Sequence, residues 1–298
     1  MTAVQPPAQP SSFDPAFCER EYNARAAVPE AATLLGASTE RARAARAMLD
    51  AQDGGRQARQ ELAFGPGAKE RIDFFPAGVD GAPLLVFIHG GYWRALDKED
   101  VSWIAPPWLS RGVSVALPNY DLLPTVPMET IVAQVRAALA FLWRDAPRLG
   151  VDRDRIVVCG HSAGGHLAAI AACTDWPAHG PDLPSRIARG TLSISGLHDL
   201  EPLRHAPFLS RDLALDTDRA RALSPAYQTP NAGLRAVTCV GGDESSEFHR
   251  QARLLAQHWG TALEHDVPMP GRNHFTVVEA LAEPGSALFE AAADLLER

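Results

Sequence analysis

No apolar run in the sequence approaches the roughly 18 residues of a membrane-spanning helix, so a bilayer-crossing segment is not expected. Basic residues are outnumbered, 28 Lys and Arg against 36 Asp and Glu, and the net charge of -8 leaves no basic footprint for nucleic acid. Cysteine is scarce. The four are Cys18, Cys159, Cys173 and Cys239, and none has the Cys-x-x-Cys spacing of a zinc site or a redox pair. Buried free thiols in a reducing compartment are expected. The opening stretch MTAVQPPAQPSSFDPAF lacks the positive and apolar regions of a secretory signal, so a cytoplasmic location and a flexible arm over residues 1–17 are expected. There is no internal repeat and, outside that arm, no low-complexity tract, which excludes a repeat array.

What is present is the composition of a globular protein, 46% hydrophobic and 21% charged, at a length that suits one substantial domain with additions. Residues 18–59, rich in alanine, arginine, leucine and glutamate with a break at VPEA, read as an N-terminal helical extension that would pack over the mouth of a site. The arginines of ERARAARAM are expected on a solvated helix face. From residue 60 to 298 the pattern becomes regular. QELAFG and RIDFFPAG suit an antiparallel hairpin, and PLLVFIHG is a continuous apolar run of the kind that fills a sheet centre. Strand-like VSVALPNY, RIVVCGHS, ARGTLSISG, LRAVTCVGG and an edge strand ALEHDVP then alternate with helical segments. That order implies an α/β domain, a mostly parallel central sheet with helices on both faces. Residues 197–232, weakly periodic and rich in proline, arginine and leucine, look like an insertion above the sheet.

Ligands of such sheets sit outside the carboxyl ends of the strands. Gly160-His161-Ser162-Ala163-Gly164 fits G-x-S-x-G between a predicted strand and a predicted helix, the context in which a tight turn pushes a serine hydroxyl outward. Ser162 is the candidate nucleophile. A base and an orienting carboxylate should follow in the order serine, acid, histidine. His274, in the loop before the C-terminal helix, is the candidate base. Asp243, behind two glycines after LRAVTCV, is the candidate acid, with helix capping as its other reading and the adjacent Glu244 as an imperfect substitute. Asp199 is a rival acid, but a structural or pocket-forming role suits His198 and Asp199 better.

The stretch HGGYW, residues 89–93, also ends a strand. Attack on a carbonyl develops negative charge on oxygen, and backbone N–H groups must be preplaced to receive it. The amides of Gly91, Tyr92 and Ala163 are the expected donors of this oxyanion hole, with Gly90 a less favoured participant and His89 holding the loop in shape. Trp93, Tyr120, Phe248 and Phe275 are candidate substrate-binding residues. Core packing is the competing role for Trp93.

HGGYW, together with GHSAGGHLA, GGDESSEFHRQ, RNHF, EYNARAAVP and SGLHDLEPL, closely resembles the serine-dependent arylformamidases, or kynurenine formamidases, of the α/β-hydrolase superfamily. Hormone-sensitive-lipase-like esterases share a related His-Gly-Gly element, and the x-Trp that follows it here favours the formamidase branch. The resemblance covers the chain from about residue 18 onward. It implies an α/β-hydrolase fold, hydrolysis of N-formylkynurenine to kynurenine and formate, Ser162 as nucleophile, His274 as base, Asp243 as orienter and the loop after His89 as oxyanion hole.

The expectation is therefore a serine hydrolase with no organic cofactor and no metal, acting on a small-molecule amide or ester, without nucleic acid or membrane as partner. A homodimer stays open, since oligomeric state is not legible in the sequence. The competing readings are a short-chain carboxylesterase with the same triad, a catalytically silent binding protein on a hydrolase fold, and an acyl transferase using the same acyl-enzyme.

Overall fold

The computed structural model describes residues 13–51 and 60–297. Eight strands form one sheet: β1 (Gln60–Ala63), β2 (Arg71–Phe75), β3 (Ala82–Ile88), β4 (Ser114–Pro118), β5 (Val151–His161), β6 (Gly190–Ile194), β7 (Arg235–Gly241) and β8 (Leu263–Met269). They lie in the order β1-β2-β4-β3-β5-β6-β7-β8, with β8 on the edge as expected. The first two pair as the expected antiparallel hairpin and β2 runs antiparallel to β4, while all pairs from β4 to β8 are parallel.

The continuous apolar run of β3 is explained by its central place, because side chains of a strand alternate between faces and here both faces are covered. Leu84, Val86 and Ile88 enter one core, whereas Leu85 and Phe87 enter the other. The first core is closed by helices that follow the strands, α5 (Met128–Asp145), α6 (Ala163–Ala172) and α9 (Ser246–Trp259). The second is closed by α3 (Ala31–Ala51), α4 (Ala105–Ser110) and α10 (Ala287–Glu297). This is the α/β-hydrolase arrangement with helices on both faces.

The N-terminal extension begins earlier than expected, with α1 (Pro15–Tyr22) capped by Asp14, then α2 (Ala24–Ala27) and α3 after the break at Val28. Residues 1–12 of the expected arm and 52–59 of the extension lie outside the described residues. The solvated-face reading of ERARAARAM holds only in part. Arg46 pairs with the fully buried Asp73 on β2, and Arg41 with Glu279, so two of these arginines fasten α3 to the sheet domain. A buried pair of this kind fixes placement more than it adds stability.

The 197–232 segment folds as short turns of helix, including α7 (Ser210–Leu213) and α8 (Thr217–Ala222). All four cysteines are free, and three of them, Cys18, Cys159 and Cys239, are buried. Among the described residues no helix is long and apolar enough to cross a membrane.

Two core histidines make stability depend on pH. Burial lowers His166 from 6.5 to about 3 and His198 from 6.5 to about 4, against the raising effect of carbonyls at Leu223 and Gln251. Their folded-state values lie below those of the unfolded chain, so their contribution is complete above pH 6.5 and drains as pH falls toward 4 and then 3. Each should remove on the order of 2 kcal/mol by pH 5. The urea midpoint is therefore expected to drop between pH 7.5 and 5, and less steeply in His198→Gln; an unchanged slope in that variant would mean the ring is not buried neutral.

Candidate active site

Between β5 and α6 the chain reverses through Ser162, whose φ of 57° and ψ of -118° lie where a non-glycine residue is strained. Neighbouring glycines make the reversal feasible. A Cβ at Gly160 would lie 2.1 Å from the Gly164 carbonyl oxygen, and one at Gly164 would lie 2.0 Å from that of Ile88. The turn is pinned by Ser162 N–H donating to Ile194 O at 2.8 Å and by His166 N–H donating to Ser162 O at 3.1 Å. The serine is 3% exposed, and it opens on a cavity of about 350 Å³ that His274 also lines. Among the described residues its hydroxyl makes no hydrogen bond.

His274 sits after β8 in the expected loop and is held on four sides. Its ring lies 4.7 Å from that of His161 and 4.5 Å from that of Phe248, with Phe275 edge-on at 5.7 Å. On the fourth side its Nδ1 meets Glu244 Oε2 at 2.6 Å. A carboxylate only accepts, so the proton belongs on Nδ1, and Nε2 carries the lone pair.

The carboxylate on His274 is thus that of Glu244, which corrects the expectation of Asp243. Asp243 is exposed at the apex of a turn, its N–H donating to Arg272 O at 3.1 Å, whereas the Glu244 side chain is 0% exposed. Glu244 N–H closes the turn onto Gly241 O at 3.1 Å, which aims residue 244 inward, and the extra methylene of glutamate spans the gap to the ring. A Cβ at Gly241 would stand 3.1 Å from Glu244 Oε1 and 2.3 Å from Arg272 O, so glycine clears the path. Oε1 accepts from Ser195 Oγ at 2.5 Å and from Gly241 N–H at 2.7 Å. Ser195, itself at φ 48°, was not marked by any motif. Asp243 is not a helix cap either, because α9 is preceded by Ser245.

In the HGGYW loop, Gly91, Tyr92 and Trp93 take φ of 98°, 53° and 56° in succession. Ala95 O would lie 2.2 Å from a Cβ at Gly91, and a Cβ at Gly90 would stand 3.3 Å from Ser162 Cβ. Glycine at 90 thus leaves the approach to the serine free of a side chain. Among the described residues the N–H groups of Gly91, Tyr92 and Ala163 have no partner. His89 does hold the loop, its ring meeting Gly90 O at 3.0 Å and Asn119 Oδ1 at 3.1 Å while stacking on Tyr120 at 4.2 Å.

Of the four candidate substrate-binding residues only Phe275 lines the cavity. Trp93 is fully buried and stands edge-on to His166 at 5.1 Å, the core-packing role. Tyr120 spends its hydroxyl on His89 O at 2.8 Å, and Phe248 is the plate under His274. Large apolar side chains are needed at such places to fix polar loops, and that need is indistinguishable in sequence from a pocket wall. The wall instead includes Tyr92, Phe87, Trp103 and Phe208, the last from the 197–232 segment. The helical extension contributes Asn23, Ala24, Arg25, Leu34, Leu35 and Ser38.

The extension is locked in place beside Glu244. Tyr22 Oη donates to Glu247 Oε2 at 2.6 Å and accepts from Gln251 Nε2 at 2.9 Å; Ser245 Oγ donates to Glu21 O, and the Tyr92 hydroxyl to Tyr22 O. His198 and Asp199 are structural, as expected: His198 bridges Ser193 Oγ at 2.8 Å and Gln251 O at 3.0 Å, and Asp199 faces Arg250 at 3.5 Å.

Residues 74–179 match the BD-FAE family model. Over 91% of its length the chain is 28% identical to kynurenine formamidase of Salmo salar, covering 90% of that protein. To kynurenine formamidase of Danio rerio it is 27% identical over 84% of its length and 83% of that protein. A crystal structure from Silicibacter sp. tm1040, provisionally described as a thioesterase, superposes on this chain with a TM-score of 0.78 at 31% identity, over 96% of this chain and 99% of that one. Carboxylesterase NlhH of Mycobacterium tuberculosis is 31% identical over 147 residues, 48% of this chain and 46% of that protein. The BD-FAE match contains His89 to Trp93 and Ser162 but ends before Glu244 and His274.

Proposed function

We propose that the protein is an arylformamidase that hydrolyses N-formylkynurenine to kynurenine and formate through a Ser162–His274–Glu244 triad. The observation that carries this reading is that His274, paired with the buried Glu244, lines together with Ser162 a cavity walled by Tyr92, Trp103, Phe208 and Phe275. Aromatic walls suit an aryl leaving group. The relatives named kynurenine formamidase support the substrate.

In this mechanism His274 Nε2 takes the proton of Ser162 Oγ as the oxygen bonds to the formyl carbon. Negative charge forms on the carbonyl oxygen and is met by the N–H groups of Gly91, Tyr92 and Ala163. The C–N bond then breaks, the departing arylamine takes the proton from Nε2, and a formyl ester remains on Ser162. Water, deprotonated by the same Nε2, attacks that ester and releases formate and free serine. Glu244 holds the imidazole in the required tautomer and stabilises its positive charge.

Comparing kcat/KM for N-formylkynurenine and p-nitrophenyl acetate under one set of conditions tests the assignment. The formamide is expected to be the better substrate. A strong preference for the ester would replace this reading with a short-chain carboxylesterase, the alternative favoured by the similarity to NlhH.

A further inference from the structure

In a chain of net charge -8, the residues lining the cavity beside Ser162 include no aspartate or glutamate, but they do include two arginines, Arg25 and Arg94. The two differ. Arg94 is already engaged, donating to Asp212 Oδ2 at 2.9 Å and to Phe208 O at 2.7 Å. Arg25 is exposed and, among the described residues, has neither an ion-pair nor a hydrogen-bond partner. Its position is nevertheless fixed. It belongs to α2, whose N-cap Asn23 accepts from Ala26 N–H at 3.2 Å through Oδ1 and donates to Glu19 Oε1 at 2.8 Å through Nδ2. The preceding Tyr22 is buried in the network around Glu247 and Gln251. A capped helix thus carries an exposed guanidinium, unpaired among the described residues, that lines the same cavity as the buried serine.

We infer that Arg25 is a specificity residue that binds a carboxylate on the leaving-group side of the substrate, so that the site takes aryl amides bearing that carboxylate in preference to those without it. A guanidinium recognises a carboxylate through two parallel N–H donors, and a cavity without acids sets no repulsion against it. The inference rests on the arylformamidase reading for its natural substrate but not for its electrostatics.

The test is Arg25→Gln, assayed with N-formylkynurenine and with its α-carboxamide, which differs from it only in lacking the carboxylate. KM for N-formylkynurenine should rise about 10- to 100-fold, while the kinetics of the carboxamide stay within about twofold. Arg25→Lys should restore part of the loss, and Arg25→Glu should favour the carboxamide. Equal losses on both substrates, or no loss on the carboxylate-bearing one, would overturn the inference. If the wild-type protein cleaves esters and not formamides, the arylformamidase reading fails. In that case 3-(4-acetoxyphenyl)propanoate and its neutral amide read Arg25 in the same way, and a variant blind to the charge still overturns the proposal.

Discussion

Ser162→Ala is expected to lower kcat for N-formylkynurenine by about 10⁵-fold or more, with the melting temperature unchanged. Without Oγ no acyl-enzyme can form, and what remains is whatever the oxyanion donors and binding supply. The fold should tolerate the change because the lost hydroxyl has no hydrogen bond among the described residues, while the turn is held by the backbone bonds to Ile194 and His166. Single-turnover assays alongside calorimetry separate the two quantities. Activity retained above about one part in a thousand would assign the attacking atom elsewhere.

How far the sequence discloses this site can be judged residue by residue. That Ser162 and His274 would meet at one cavity was legible because each stands in a distinctive local context, a glycine-flanked reversal and a loop after the last strand. The layered sheet was legible because the run at β3 divides between two cores only if both faces are covered. What escaped depends on contacts between distant segments. Trp93, Tyr120 and Phe248 look like pocket residues in sequence and turn out to hold His166, His89 and His274 in place. The docking of α1 beside Glu244 rests on Tyr22 meeting Glu247, 225 residues away, and no local pattern announces such a pair.

Glu244 against Asp243 is the sharpest case, and mutation separates them. Glu244→Gln is expected to reduce kcat by about 10³- to 10⁴-fold with little change in KM, because the amide keeps the shape yet can place an N–H donor against Nδ1 and select the wrong imidazole tautomer. Asp243→Asn should leave kcat within about twofold, since its side chain is exposed and the turn is made by its backbone N–H to Arg272 O. Glu244→Asp should fall between these, as a side chain one methylene shorter cannot reach His274 while also accepting from Ser195 and Gly241. Steady-state kinetics of the three variants decide the matter: if Asp243→Asn cost as much as Glu244→Gln, the orienting carboxylate would not be the buried one. The turn Gly241–Glu244 thus sets the outcome through its register, which places the first acidic residue in solvent and the second beneath the imidazole.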